Sequence, residues 1–283
     1  MRERKILLFF ISADLEGTNG VVSPGEIIPG EPGYEAARIL MTEEVNAAVR
    51  GLFDAGADEV LVCDSHEVAQ NIRVDLLDER AFLLRGDCRP DSMVHSIDSS
   101  YDGLLLLGHH AMFGTQNAVL DHTYDQYLIR EMKVNDTAYG EVGINALYAA
   151  EQGVPFIMAS GDDALEKEAQ AFCAEVEIAV VKYAQGRYSA KCLPRKAGLD
   201  LIYDKAKKAA ENAKNVACAK IPEEITMEIT FQQTVMADGA ERVKGIVRKG
   251  PMTVAYKCAS MKEYMEMRQV IFRAASEFYD SRF

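Results

Sequence analysis

The sequence Ile6-Leu7-Leu8-Phe9-Phe10-Ile11-Ser12-Ala13-Asp14-Leu15-Glu16-Gly17 contains an apolar run followed directly by two neighbouring carboxylates. Residues 6–11 have strand length and no polar side chain, which predicts a strand buried on both faces of a sheet. Asp14 and Glu16 are two residues apart, a spacing that places both side chains on one side of an extended backbone. Carboxylates held together repel each other, and a cation removes that repulsion, so the stretch predicts a metal site.

Runs of this kind recur along the first two thirds of the chain and alternate with helical patterns. Further strands are predicted at residues 59–63, 81–84, 104–107, 155–159 and 179–181, the last of which would close the sheet. Helices are predicted at residues 34–55, 141–152 and 164–176. The alternation predicts an α/β fold with a mostly parallel sheet flanked by helices, a Rossmann-like arrangement of three layers.

The pattern changes after about residue 190. A Lys- and Ala-rich helix is predicted at residues 197–215, followed by strands at 224–231 and 253–257 and a helix at 261–278. We interpret this part as a smaller C-terminal α+β domain. The predicted division is residues 1–190 for a metal-binding catalytic α/β domain and 191–283 for the C-terminal domain.

Composition excludes several classes of partner. The 283 residues include 44 acidic and 31 basic side chains, a formal net charge of −13. Nucleic-acid binding needs clustered Lys and Arg, so neither a nucleic acid nor an anionic membrane surface is expected as a partner. No run approaches the ~18 apolar residues of a membrane helix. The basic start, residues 1–5, precedes no cleavage pattern, so we interpret the next run as a strand and not as a signal peptide.

Six scattered cysteines without a CxxC spacing suggest reduced thiols in a cytoplasmic protein.

Four of the five histidines lie where ligands gather in a parallel sheet. His66 follows the second strand, His109 and His110 follow the fourth, and His122 lies in a loop beyond it. Ligands collect beyond the carboxyl ends of parallel strands. A mixed carboxylate and imidazole set there suits zinc or another first-row divalent metal, and its size fits two metals sharing a carboxylate. The predicted strand-end set is Asp14, Glu16, His66 and His110.

Each of these residues also has an ordinary structural interpretation. A DxE sequence after a strand is weak evidence by itself, and Asp64-Ser65-His66 is a common turn or helix cap. In a His-His pair, one side chain is often a core residue and the other a solvated one. Glu141 fits a first-turn carboxylate at the positive end of a helix. The metal hypothesis therefore depends on the combination of several strand ends.

The motifs together resemble the zinc-dependent D-aminopeptidases of peptidase family M55. The resemblance runs from about residue 6 to at least residue 200, and more weakly beyond. The motifs that carry it are Ser12-Ala13-Asp14-Leu15-Glu16-Gly17, Met41-Thr42-Glu43-Glu44, Asp64-Ser65-His66, Gly108-His109-His110-Ala111, His122, Gly140-Glu141-Val142-Gly143-Ile144-Asn145-Ala146 and Ala159-Ser160-Gly161-Asp162-Asp163.

The resemblance implies a centre of two zinc ions. Asp14 would be the bridging carboxylate, the other ligands would be Glu16, His66, His110 and Glu141, and His122 would be the catalytic residue. The implied activity is removal of the N-terminal residue from short peptide substrates of D-amino acids, above all D-alanine, by metal-activated water. The implied assembly is a homo-oligomer, a decamer of two stacked five-membered rings.

Three features depart from the family pattern. His109 stands where the family has an aromatic residue, so His110 is the better-aligned ligand. The loop 120–125 is more acidic than expected, and the segment 21–33 is distinct; both are expected to shape the substrate pocket. Asp121 and Asp125 are candidates to bind a free substrate amino group.

Two alternatives to a D-aminopeptidase remain. One is a metal-dependent amidase or peptidase acting on L-peptides or other amides. The other is a non-catalytic protein that binds metal or peptide.

Overall fold

The computed structural model describes residues 5–278, so residues 1–4 of the basic start and residues 279–283 lie outside the description. The strands are β1 (Leu8–Ala13), β2 (Glu59–Asp64), β3 (Phe82–Leu84), β4 (Gly103–Leu107), β5 (Ile129–Val134), β6 (Thr137–Ala138), β7 (Phe156–Asp162), β8 (Glu177–Gly186), β9 (Ser189–Cys192), β10 (Ile225–Phe231), β11 (Val247–Arg248) and β12 (Thr253–Cys258). The α-helices are α1 (Pro24–Ile27), α2 (Tyr34–Asp54), α3 (Glu141–Glu151), α4 (Asp163–Phe172), α5 (Arg195–Asn212), α6 (Thr234–Ala240) and α7 (Met261–Ser276).

Seven strands form a mostly parallel sheet in the order β3-β2-β1-β4-β7-β8-β9. Ala13 at the end of β1 pairs with Asp64 of β2 on one side and with Leu107 of β4 on the other. The three central strands therefore end at the same level, and the residues after them meet at one edge. Helices pack on this sheet, so the predicted α/β fold with a flanked parallel sheet is confirmed.

Strand β1 is buried on both faces, as its apolar sequence predicts. Phe9 and Ile11 pack in the core shared with α2 and α5, whereas Phe10 faces a second core shared with α3 and α4. The strand begins two residues later than predicted. Ile6 is 64 % exposed because it precedes the paired region.

The far edge of this sheet differs from the prediction. The strand predicted at 179–181 is the middle of the longer β8, which turns back at Gly186 and pairs with β9 in antiparallel fashion. Gly186 has φ +151°, a backbone conformation that favours glycine and permits this turn. The expectation that 179–181 closes the sheet is therefore wrong, because β9 forms the edge.

A second sheet is antiparallel, with the order β11-β12-β10-β5-β6. Along β10 every second residue is buried, and these side chains pack in one core with α6 and α7. Strands β10 and β12 and helix α7 match the elements predicted after residue 190 to within two residues.

The predicted division at residue 190 stays a prediction. Strands β5 and β6 precede this position yet belong to the second sheet, and α5 follows it yet packs against α2 and β8. Segments on each side of residue 190 therefore pack with elements of the other predicted domain.

None of the helices formed by residues 5–278 is both long enough and apolar enough to cross a membrane.

Candidate metal centre

The ends of β1, β2 and β4 bring the predicted strand-end residues together. The Nδ1 atom of His66 lies 3.2 Å from Oδ1 of Asp14 and 3.1 Å from Oε2 of Glu16. The Nε2 atom of His110 lies 3.7 Å from Oδ2 of Asp14. All four side chains are at most 5 % exposed. The common level of the three strand ends thus produces one buried cluster.

Two further residues reach this cluster from other elements. Glu141 is the first residue of α3, and its Oε1 lies 3.3 Å from His110 Nε2. His122 Nε2 lies 3.8 Å from Glu141 Oε1 and 3.9 Å from Glu16 Oε1. The His122 ring stacks on the His110 ring with centroids 3.9 Å apart and planes 12° from parallel. The structure therefore brings all six predicted site residues together.

Each of the three histidines in the cluster bonds one ring nitrogen to a backbone carbonyl oxygen. A carbonyl only accepts, so that nitrogen carries the proton and donates. In a neutral ring the other nitrogen then has a free lone pair, and in all three residues it faces the carboxylates. The pairs are His66 Nε2 with Ile27 at 2.8 Å, His110 Nδ1 with Ala111 at 3.1 Å and His122 Nδ1 with Leu120 at 2.8 Å.

Burial and mutual charge shift the acidities of the cluster. Burial, together with the charge of Glu16, raises the pKa of Asp14 to about 7. Burial acts against the charged forms of His110 and Glu141 too, but each is the other's nearest opposite charge. As a result the pKa of His110 rises to about 10 and the pKa of Glu141 falls to about 2. The cluster therefore needs positive charge to keep its carboxylates ionised away from water.

The donor set fits a cation. Oε2 of Glu16 and Nε2 of His110 are buried without a hydrogen-bond partner among residues 5–278. Two sets of three side chains have ligand atoms within 4.8 Å of one another, and they share His110. Carboxylate oxygens and imidazole nitrogens are ligands that zinc accepts. The sets are Asp14 with Glu16 and His110, and His110 with His122 and Glu141.

The cluster opens into a cleft of about 440 Å³. Both segments singled out in the sequence contribute to its walls, through Ile27 and Ile28 at the end of α1 and through the loop that carries His122. The lining residues beyond the cluster include Ile27, Ile28, Ser92, Met93, Leu120, Tyr124, Asp125, Gln126 and Tyr127. A small peptide-sized space therefore adjoins the buried ligands.

Comparison with known proteins gives the family. The family model of Peptidase M55, described as D-aminopeptidase, matches residues 7–270. The chain belongs to the M55 peptidase family. A D-aminopeptidase of Bacillus subtilis (strain 168) is 34 % identical over 268 residues, which cover 94 % of this chain and 97 % of that protein. The predicted family and the predicted class of enzyme, a metallo-aminopeptidase, are confirmed.

A solved structure supports the same relationship. It is described as the Zn-dependent D-aminopeptidase DppA from Bacillus subtilis, a self-compartmentalizing protease. The two chains are 32 % identical, the TM-score is 0.92, and the match covers 95 % of this chain and 98 % of that one. The sheet arrangement described above is therefore the fold of the M55 family.

His109 stands apart from the candidate ligands. It is fully buried, its Nδ1 lies 3.9 Å from Asp14 Oδ2, and neither ring nitrogen has a hydrogen-bond partner in the described part of the chain. Burial lowers its pKa to about 4. It belongs to neither set of three, whereas His110 belongs to both, so of this adjacent pair His110 is the candidate ligand.

The two acidic candidates for a substrate amino group differ in availability. Asp121 is buried, and its carboxylate is bound to the Arg187 guanidinium at 2.9 Å and to the amide of Gly114 at 2.6 Å. Oδ1 of Asp125 accepts from the backbone amides of Tyr127 and Leu128, but this side chain is exposed and lines the cleft. Asp121 is therefore occupied by its own partners, and Asp125 is the one of the two that a substrate can reach.

The backbone groups that hold the side chains of the site were not anticipated. The Ile27 carbonyl orients His66, and the amide of Tyr124 donates to Oε1 of Glu141 at 2.7 Å. Backbone groups carry no signature in a sequence. The unusual composition of 21–33 and 120–125 pointed to the segments, but not to these atoms.

Proposed function

We propose that this chain is a binuclear zinc aminopeptidase that removes the N-terminal residue from short D-amino-acid peptides, with D-alanyl peptides as the preferred substrates. The observation that carries the proposal is the pair of ligand sets that share His110 below an open cleft. The description of the solved Bacillus subtilis structure supports zinc as the metal, and the name D-aminopeptidase supports D-amino-acid peptides as the substrate class.

The proposed ligands are Asp14, Glu16, His66, His110 and Glu141, with Asp14 bridging. The orientation of Asp14 supports the bridging role, because Oδ1 lies near His66 and Oδ2 lies near His110. Zinc bound at such a site lowers the pKa of a water molecule and polarises a substrate carbonyl group.

The proposed catalytic residue is His122. Its Nδ1–H is held by the Leu120 carbonyl, so the free lone pair of Nε2 points into the cluster. Burial and the neighbouring His110 both lower the pKa of His122, which keeps the ring neutral near pH 7. A neutral imidazole here can take a proton from the attacking water and give it to the leaving amine, a general base followed by a general acid.

The free amino group of the substrate is assigned to the rim of the cleft. Asp125 is exposed there, on the same loop as His122. An ammonium group near this carboxylate places the first peptide bond of a short peptide toward the buried cluster. This orientation accounts for removal of one terminal residue rather than cleavage within a longer chain.

The proposed setting is a cytoplasmic homo-oligomer, with a decamer as the assembly. All six cysteines are free, which suits a reducing compartment. The relative described as self-compartmentalizing supports an assembly that encloses its active sites.

One experiment tests the proposal directly. Purified protein is assayed on matched D-alanyl and L-alanyl p-nitroanilides and dipeptides, with its metal content per chain measured in parallel. The expected result is about two zinc ions per chain, turnover of the D-alanyl substrates, loss of turnover in chelator and recovery with zinc.

The other outcomes separate the alternatives. Preference for L-alanyl substrates would indicate an amidase or peptidase of different specificity. Tight zinc and peptide binding without cleavage would indicate a binding protein. Full activity of the metal-free protein would contradict the role of the metal.

A further inference from the structure

Lys182 is a fully buried lysine in β8, with 0 % of its side chain exposed. Its Nζ donates to the carbonyl oxygens of Glu16 at 2.5 Å, Thr18 at 3.0 Å and Val21 at 2.6 Å. An ammonium group has three protons, so all of them are used. Burying such a charge is unfavourable unless it is fully hydrogen-bonded, and here three carbonyls of one short loop supply the bonds.

The loop that Lys182 binds is the one that carries two proposed ligands. It leaves β1 at Asp14 and runs through Glu16 to α1. In the order of the sheet, β8 is separated from β1 by β4 and β7. Lys182 therefore connects the backbone of the loop that carries Asp14 and Glu16 to β8, a strand with no proposed ligand.

Lys182 has no direct contact with the reaction space. It is absent from the lining of the cleft, and its three hydrogen bonds all go to backbone carbonyl oxygens. Its hydrogen bonds to the loop are therefore all made to the backbone.

We propose that Lys182 is a positioning residue of the metal centre: it holds residues 16–21 so that Asp14 and Glu16 are in binding geometry before the cation arrives, and it thereby sets the affinity for zinc. This inference rests on the proposed zinc function. Removing a group that hydrogen-bonds to the metal ligands without binding the metal itself typically lowers metal affinity by roughly 10- to 100-fold.

The test is Lys182→Met, which keeps the length of the side chain and removes the three donors. Zinc affinity is measured by competition with a chromophoric chelator. The expected result is a loss of about 10- to 100-fold, with kcat largely recovered once zinc is saturating. A dissociation constant within twofold of the unmodified protein would overturn the inference.

A matched control separates positioning from general destabilisation. Ile229→Ala removes a buried side chain from β10 in the second sheet, far from the loop in the sheet topology. It should lower the folding stability and leave the zinc dissociation constant unchanged. An equal loss of zinc affinity in both variants would contradict a specific role of Lys182.

Hydrogen exchange on the unmodified protein decides the case if Lys182→Met does not fold. With zinc removed, the amides of residues 15–21 should stay nearly as protected as in the zinc-loaded protein, because Lys182 still holds the loop. Rapid exchange of these amides that slows only on zinc binding would overturn the inference. If the unmodified protein binds no zinc at all, the proposed function itself fails, which is a different result from equal affinities.

Discussion

Asp14, Glu16 and Glu141 are acidic residues that water barely reaches, with exposures of 3 %, 2 % and 3 %. A carboxylate placed among apolar neighbours either takes up a proton or finds a positive partner. The raised pKa of Asp14, at about 7, shows the first response, and the lowered pKa of Glu141, beside His110, shows the second. Burying these three carboxylates together is therefore energetically unfavourable, and a bound cation offsets this cost.

The first prediction concerns His122. Replacement by alanine removes the imidazole that faces the cluster, so turnover should fall by roughly 100- to 10,000-fold, the range for loss of a general acid–base group. Zinc content should stay unchanged, because all five proposed ligands remain. Both quantities are measured on the same preparation, by initial rates and by metal analysis.

His95→Ala is the matched control for this variant. His95 pairs with Asp91 at 3.0 Å and does not line the cleft. Normal turnover of His122→Ala would reject the catalytic assignment. Loss of zinc together with turnover would instead make His122 a ligand, as its place in the second set of three allows.

The second prediction concerns Gly17. A Cβ atom at this position would lie 1.9 Å from the carbonyl oxygen of His109, so even alanine cannot fit without moving the loop or the end of β4. Gly17→Ala should lower the free energy of unfolding by about 1–3 kcal/mol, as overpacking does, and weaken zinc binding. Gly25→Ala is the control, because its Cβ would meet nothing within 4 Å. Equal stability and zinc affinity in both variants would show that the close approach is unimportant.

At the scale of elements, the parallel strands explain how much of the site a sequence reveals. Asp14, His66 and His110 were found because each follows a strand, and neighbouring parallel strands end at one edge. Glu141 and His122 were identified through the family resemblance, since a helix start and a loop have no fixed place relative to those strands. The role of the Ile27 carbonyl could not be predicted, because a backbone group can make this contact whatever the side chain.

Strand β5 shows why part of the fold was missed. Its sequence, Ile129–Val134, mixes buried apolar residues with charged ones such as Arg130 and Lys133. Its main partner is β10, which follows far along the chain. Only the assembled second sheet makes this segment a strand. Helix α5 was predicted from its sequence, but its packing against α2 was not.

The third prediction belongs to the β8–β9 hairpin. Arg187, in its turn, donates to Asp121 and Gln126 of the His122 loop, and its carbonyl accepts from the amide of Leu120. Arg187→Met should shift this loop and lower kcat/KM by about 10- to 100-fold, the effect of misplacing a catalytic group. Zinc affinity should not change, which distinguishes this variant from Lys182→Met.

Arg80→Met is the control for the hairpin, since Arg80 pairs with Asp78 outside the cleft. Its kcat/KM should match that of the unmodified protein. If Arg187→Met also keeps full activity, the hairpin does not position His122.

At the scale of the whole molecule, the proposed ligands come from elements that are far apart along the chain and meet at one edge of the first sheet. Asp14 and His66 follow strands of the first sheet, whereas Glu141 begins the helix directly after β6 of the second sheet. Ion binding here would link the ends of β1, β2 and β4 to the start of α3, and it would offset the repulsion between Asp14 and Glu16. Zinc should therefore stabilise the entire fold rather than one loop.

The fourth prediction follows from that linkage. A ligand confined to the folded state adds about 4 kcal/mol of stability at a thousandfold excess over its dissociation constant. For chains of this size each kcal/mol of stability raises Tm by roughly 2–4 °C. The Tm of the zinc-loaded protein should therefore exceed that of the chelated protein by on the order of ten degrees. Calorimetry on zinc-loaded and chelated samples measures the shift. Glu16→Gln should lose most of it, because one ligand charge is gone while the shape is kept. If this variant shows the full shift, the stabilisation comes from zinc bound elsewhere, and the strand-end cluster is not the centre that ties these elements together.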